Sequence, residues 1–299
     1  MDFFLHDEPL SAHTTFKIGG PADLYAKPEG EKFPERAAQI LSHARNENIP
    51  LFILGAGSNV LAADAGFRGI ILDVSGWRGC AIEAAAGGSV LLRVNAGTRA
   101  DEAADFALEN SLSGLEFLAG LPGTIGGAVW MNARCYEKSI SDILAGVEIL
   151  DESLKRVAVP YKHEDYAYKK SPFQTRNILI VSACLHAQMG REAKNAIRLK
   201  METYRKDRDA KKHFSYPSAG SVFKNDHRWG KPAGKIIEEL GLRGTQIGGA
   251  RLADWHGNFI INTGNASARD VSALIALVQE KARQTLGIEL EPEIVFLAP

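Results

Sequence analysis

The sequence predicts a mixed α and β chain of two domains, and three observations predict it. At 299 residues the chain exceeds one ordinary domain. Stretches with helical spacing alternate with short apolar runs of the kind that form buried strands. A glycine-dense segment, Gly114 to Asn132, then interrupts the pattern, which marks backbone that approaches something closely.

The elements follow in chain order. Phe33, Ala37, Ile40, Leu41 and Ala44 recur at helical spacing, and Pro50 then opens the buried strand Leu51 to Leu54. Ile70 to Val74 and Val90 to Val94 are β-type runs, while Arg99 to Asn110 sets Ala100, Ala103, Ala104, Ala107 and Leu108 on one helical face. A strongly charged helix is expected between Glu192 and Lys212, with Ala193, Ile197, Met201 and Tyr204 as its apolar stripe and Pro217 in the loop beyond. The domain boundary is expected near the start of that helix, dividing the chain into 1–191 and 192–299. Further on, Ala233 to Leu240 forms a short helix stopped by Gly241, and Phe259 to Ile261 a strand. Ser267 caps a longer helix that buries Val271, Leu274, Ile275, Val278 and Ala282 and ends at Gly287, before a last strand at Ile294 to Leu297.

Composition excludes several classes of function. With 45% apolar and 24% charged residues the chain should fold by itself. Its 35 basic and 36 acidic side chains create no field that would draw nucleic acid or anionic lipid. The basic residues of Lys194 to Lys212 are interleaved with Glu202, Asp207 and Asp209, as on a solvated helical face. Cys80, Cys135 and Cys184 have neither disulfide nor metal-site spacing, which fits a reducing compartment and predicts no metal. Met1 to Glu8 carries acid where a signal peptide carries base, and no run approaches the ~20 apolar residues that span a bilayer. A cytoplasmic protein with a small-molecule partner is expected.

Gly55-Ala56-Gly57-Ser58-Asn59 follows a buried strand, where successive N–H groups can cradle phosphate oxygens. A dinucleotide fingerprint of the Rossmann kind is rejected there, although Asp73 lies where a ribose-binding acid would sit. Such a turn must lead directly into a helix, Gly66 would break one almost at once, and the third glycine is missing.

The segment ending Gly120-Leu121-Pro122-Gly123-Thr124-Ile125-Gly126-Gly127-Ala128-Val129-Trp130-Met131-Asn132 resembles the flavin-binding signature of the UDP-N-acetylenolpyruvoylglucosamine reductase family. In the family's order, Thr14-Thr15-Phe16-Lys17-Ile18-Gly19-Gly20-Pro21-Ala22 resembles its N-terminal flavin motif and Gly55 to Leu61 its pyrophosphate loop. Ser218-Ala219-Gly220-Ser221-Val222-Phe223-Lys224-Asn225 is similar to its catalytic serine loop. His256-Gly257-Asn258-Phe259-Ile260-Ile261-Asn262 is similar to its HxNFxxN run, and Glu291-Pro292-Glu293-Ile294 to its terminal glutamate strand.

The resemblance implies an α+β fold: an FAD-binding domain of the vanillyl-alcohol-oxidase (PCMH) type, in two lobes, followed by a smaller α+β substrate-binding domain. It implies a monomeric enzyme of the family's shorter subgroup that uses NADPH and non-covalent FAD to reduce UDP-N-acetylglucosamine enolpyruvate to UDP-N-acetylmuramate, a peptidoglycan precursor. Two clusters of main-chain amides would hold the FAD. One is Gly55, Ala56, Gly57, Ser58, Asn59 and Val60; the other is Gly120, Pro122, Gly123, Gly126, Gly127 and Ala128.

An enol ether conjugated to a carboxylate accepts hydride at its terminal carbon, so the site must hold the developing enolate and supply a proton. By resemblance Ser221 is the proton donor, and Gly220 beside it leaves room for a ligand. Lys224 and Asn225 are expected to touch substrate. Glu293 would polarise the enolate or assist the proton transfer, with Glu291 the less favoured alternative. Tyr166-Ala167-Tyr168-Lys169-Lys170-Ser171 is similar to the family's YxYRxS motif, whose arginine serves the substrate carboxylate. Lys169 stands in the arginine position and offers a point charge without a bidentate fork, so Lys170 or Arg134 could supply what is missing. Arg134, Cys135 and Glu137 also depart from the family, which has small residues there.

Overall fold

The computed structural model describes residues 4–298. Met1 to Phe3, part of the segment read for a signal peptide, lie outside the described residues, as does Pro299. The chain forms two compact units, one of Phe4, Tyr25–Ala56 and Ile70–Asp207, the other of Leu5–Leu24, Gly57–Gly69 and residues 208 to 298. This division differs from the expected 1–191 and 192–299. The charged helix drops Ile197 and Met201, each 1% exposed, into the first unit's core, so most of it belongs there. Two early segments of the chain build the second unit.

In the first unit, α1 (Phe33–Asn46) buries the five apolar positions that the spacing picked out. The strand Leu51–Leu54 pairs in parallel with Ile70 to Asp73. A larger antiparallel sheet runs in the order Arg156–Pro160, Leu144–Leu150, Leu179–Met189, Ser89–Asn95, Cys80–Ala86. α2 (Ala100–Glu109) and the short α3 (Ile125–Trp130) share its core, where Ala103, Ala104 and Ala107 meet Val90, Leu92, Val129 and Leu185. Full burial of each such valine or leucine contributes roughly 1.5–3 kcal/mol. α4 (Lys194–Ala210) adds Ile197 and Met201 to the same cluster.

In the second unit, α5 (Ala233–Glu239) stops before Gly241 at φ 71°. The strands Gln246–Ile247, Ala250–Leu252 and Ile260–Asn262 form an antiparallel sheet. α6 (Ala268–Leu286) begins where Ser267 Oγ accepts a hydrogen bond from Asp270 N at 3.0 Å, a cap that stabilises by about 1 kcal/mol. Its stripe of Val271, Leu274, Ile275, Val278 and Ala282 packs with Phe16, Ile18, Leu61, Val222 and Phe223. The N-terminal motif is therefore core material of this unit. Val60–Ala62 pairs in parallel with Val295–Leu297, which fixes the end of the chain beside the Gly57 to Asn59 loop. Among the described residues no helix is long and apolar enough to cross a membrane.

Candidate functional site

Residues 55–59 connect the strand Leu51–Leu54 to the strand Val60–Ala62, and no helix follows, as the rejected fingerprint would require. Asp73 is also occupied: 3% exposed, it accepts hydrogen bonds from the Tyr25 hydroxyl and from Ser75 N at 2.7 Å. Gly57 has φ 61°, and a Cβ there would stand 2.2 Å from His13 O and 2.7 Å from Thr14 Cα. Gly57 therefore requires glycine, whereas a Cβ on Gly55 would meet only the Thr124 side chain, its Oγ1 at 2.6 Å. Among the described residues, none of the N–H groups of residues 55–59 donates a hydrogen bond to the protein.

The second glycine segment behaves differently. Gly120 N donates to Asp101 Oδ1 at 2.6 Å and Gly126 N to Ala96 O at 2.8 Å. Thr124 caps α3, its Oγ1 accepting from Gly127 N at 3.3 Å and its carbonyl from Ala128 N at 2.8 Å. The Gly123 carbonyl accepts from Ala100 N at 3.1 Å, and Pro122 has no N–H. Of the expected second cluster, the amides of Gly120, Gly126, Gly127 and Ala128 are thus engaged within the chain, while Gly123 N donates to no partner among the described residues. The segment opens a short helix, and a helix start consumes its first amides in capping and in contacts with its neighbours.

Ser221 lies in the second unit, in a segment held by main-chain bonds on both sides. On one side is Asn258, 3% exposed, whose carbonyl accepts from Val222 N at 2.9 Å. Its side chain accepts from Phe223 N and donates to Phe223 O, both at 2.8 Å. On the other side Glu293 N donates to Val222 O at 2.7 Å. Asn59 Nδ2 in turn donates to Glu293 O at 3.1 Å. Gly220 has φ 73°, and a Cβ there would meet nothing within 4 Å, which leaves open space over the residue that precedes Ser221. Lys224 Nζ pairs with Glu291 Oε1 at 2.5 Å, while Asn225 Oδ1 accepts from Ala233 N at 2.9 Å and holds the start of α5.

Sequence reasoning gave the HxNFxxN run no mechanical role, and the structure supplies one. Asn258 ties down the serine segment, and Asn262 Nδ2 donates to Phe16 O at 3.1 Å, anchoring the N-terminal motif. Thr15 then links that motif to both loops, its N donating to Gly57 O at 3.2 Å and its Oγ1 to Ser218 O at 2.7 Å. The available signal was two asparagines inside an apolar run, since a buried amide must find partners. His256 Nδ1 accepts from Asn258 N at 3.1 Å, and burial pulls its pKa below the ordinary value, which keeps the ring neutral for that role.

Lys169 lies in the first unit, in a tight turn closed by Lys170 N to Ala167 O at 3.0 Å. Its φ of 57° is unusual for a side-chain-bearing residue, and Gln174 Nε2 holds it by donating to Lys169 O at 3.0 Å. Asn132, 3% exposed, joins this turn to a neighbouring hairpin: its Nδ2 donates to Ala167 O at 2.8 Å and its Oδ1 accepts from Ser141 N at 3.3 Å. That hairpin pairs Arg134–Cys135 with Lys138–Ser139 through Tyr136 at φ 48° and Glu137 at φ 65°. Two such residues in succession cost on the order of 1–3 kcal/mol each. Burial pushes the Cys80 and Cys184 thiols up to about 11, so neither is a nucleophile at neutral pH.

These motifs have counterparts in known proteins. Residues 212–297 match the family model of the UDP-N-acetylenolpyruvoylglucosamine reductase C-terminal domain, and residues 32–156 match that of an FAD binding domain. A UDP-N-acetylenolpyruvoylglucosamine reductase of Treponema denticola is 42% identical over 97% of this chain and 92% of its own length. The chain belongs to the UDP-N-acetylenolpyruvoylglucosamine reductase family. The reductase of Borreliella burgdorferi is 40% identical over 96% of the chain and 92% of its own. The solved reductase from Thermus caldophilus superposes with a TM-score of 0.79 at 29% identity, covering 98% of this chain and 99% of that one. The α+β architecture, an FAD-binding domain with a reductase C-terminal domain, is thus that of the family.

Proposed function

We propose that this reductase completes the family's reaction, the NADPH-dependent reduction of UDP-N-acetylglucosamine enolpyruvate to UDP-N-acetylmuramate, with Ser221 as the proton donor. FAD, when bound, would supply the hydride-transfer chemistry between the nicotinamide and the enolpyruvyl group. The residues fit that cofactor: the N–H groups of Gly55, Ala56, Gly57, Ser58 and Asn59 are uncommitted within the described chain and suit a pyrophosphate. Val60 continues that loop. Gly120, Pro122, Gly123, Gly126, Gly127 and Ala128 would contribute a close-packed backbone wall and few donors.

Hydride addition leaves negative charge on the carbon next to the carboxylate. Ser221 Oγ–H delivers the proton to that carbon, and Glu293 assists the transfer. Lys169 holds the carboxylate, where a cation matters most as charge develops. Lys224 and Asn225 bind the nucleotide part, Lys224 by exchanging Glu291 for a substrate oxygen. The enzyme acts as a cytoplasmic monomer, where NADPH and the UDP-sugar are dissolved.

The observation that carries the Ser221 assignment is the open space over Gly220 beside a segment pinned by Asn258 and Glu293. The test separates the half-reactions under anaerobic conditions. In Ser221→Ala, reduction of the flavin by NADPH stays near wild type, while its reoxidation by the enolpyruvyl nucleotide slows by about 10²–10⁴-fold. Equal loss in both half-reactions overturns the assignment.

A further inference from the structure

We propose that Arg134 is the residue of this chain that grips the substrate carboxylate in a bidentate fashion, with Lys169 as the second cation. The proposal rests on the reaction assigned above. Its basis lies in how the first unit builds two adjoining segments. Asn132 is buried between them, donating to the Ala167 carbonyl of the Lys169 turn and accepting from Ser141 N just past the Arg134 hairpin. Ser171 Oγ adds a second link at the other end of the turn, donating to Trp130 O at 2.7 Å.

The hairpin is over-determined. The Tyr136 ring stacks on Tyr204 with centroids 4.1 Å apart, and its hydroxyl lies 3.0 Å from both Asp207 Oδ2 and Tyr204 O. Cys135 Sγ donates to Phe117 O at 3.1 Å, and Lys138 Nζ lies 5.9 Å from the centre of the Phe117 ring. These contacts hold Tyr136 and Glu137 in the left-handed region, where the chain would not rest unaided. The backbone of Arg134 is thereby fixed, while its side chain is exposed and enters no ion pair among the described residues.

Chemistry supplies the other half of the argument. A carboxylate that must be oriented for hydride addition calls for a planar fork, and the ammonium of Lys169 is a point charge with freely rotating donors. Lys170, on the same turn, is a second ammonium and has the same shortcoming. Arg134 carries the guanidinium of the hairpin that lies between Asn132 and Ser141, the two residues whose bonds adjoin that turn.

The experiment measures binding to the FAD-loaded, oxidised enzyme by calorimetry with two probes, the enolpyruvyl nucleotide and UDP, which lacks the carboxylate. Arg134→Ala weakens the enolpyruvyl nucleotide by about tenfold or more, the size of a lost charge-assisted hydrogen bond, and leaves UDP unchanged. Arg134→Lys stays weaker than wild type, because charge without the fork is insufficient. Adding Lys169→Arg to Arg134→Ala restores nucleotide affinity and the rate of flavin reoxidation. Equal weakening of both probes, or full activity in Arg134→Ala, overturns the proposal. If wild-type reduced flavin is not reoxidised by the nucleotide at all, the assigned reaction fails first, which is a distinct result.

Discussion

Residues 55–59 and residues 120–128 are both rich in glycine, yet they treat their N–H groups in opposite ways. The first loop directs none of them into the described protein, whereas the second turns those of Gly120, Gly126, Gly127 and Ala128 inward. Glycine density therefore reports close backbone approach, and hydrogen-bond accounting decides whether the approaching partner is the chain or a ligand. In the first loop the accounting leaves donors over. In the second it leaves Gly123 N over, with the amides of Gly120, Gly126, Gly127 and Ala128 all engaged.

Substitutions can break this comparison. The largest effect is expected for Gly57→Ala, where the new Cβ meets His13 O and Thr14 Cα and the φ of 61° disfavours any side chain. A loss of about 2–5 kcal/mol together with loss of FAD is expected, read from thermal unfolding and flavin content. Retention of normal flavin content would remove the first loop from the cofactor's grip. Gly126→Ala should cost less, about 1–3 kcal/mol, because its Cβ meets Ala96 Cβ at 2.9 Å and Ala96 O at 3.1 Å, longer approaches than those at Gly57 and without its left-handed φ. FAD affinity should fall no further than stability does. A selective loss of FAD without a fall in melting temperature would show that the second segment, too, presents donors.

The smallest effect concerns His256, which accepts from the N–H of the asparagine that pins the serine segment. His256 is held neutral in the fold, its pKa lowered chiefly by burial from an ordinary 6.5. Above about pH 7 the ring is neutral folded and unfolded, and it contributes no pH dependence. As the pH falls through 6.5 the unfolded chain takes up a proton that the native ring resists, so stability declines toward acid by at most about 1.4 kcal/mol per pH unit. His256→Gln should flatten that arm of the stability profile. An unchanged slope between pH 5 and 7 would mean that His256 is not held neutral.

Most of the framework was legible in the sequence, because helical and strand periodicities are local. α1, α2, α5, α6 and the strands at 51, 70, 90 and 295 stand where apolar spacing, Ser267 and Gly287 put them. The domain division was not legible. Whether Ile197 and Met201 face the first core or the second depends on contacts far away in sequence, and nothing in the spacing of α4 encodes that choice. The same limit hid the work of Asn258, Asn262 and Asn132, whose partners lie 35, 246 and 35 residues away. Open and engaged amides likewise look identical in sequence, so the two glycine segments could be told apart only in three dimensions.

Amide hydrogen exchange on the apoprotein and the FAD-loaded enzyme tests the central claim most directly. The amides of residues 55–59 should exchange freely without FAD and become protected on binding, while Gly120, Gly126, Gly127 and Ala128 are protected in both states. Unchanged exchange at residues 55–59 on saturation with FAD would contradict the account.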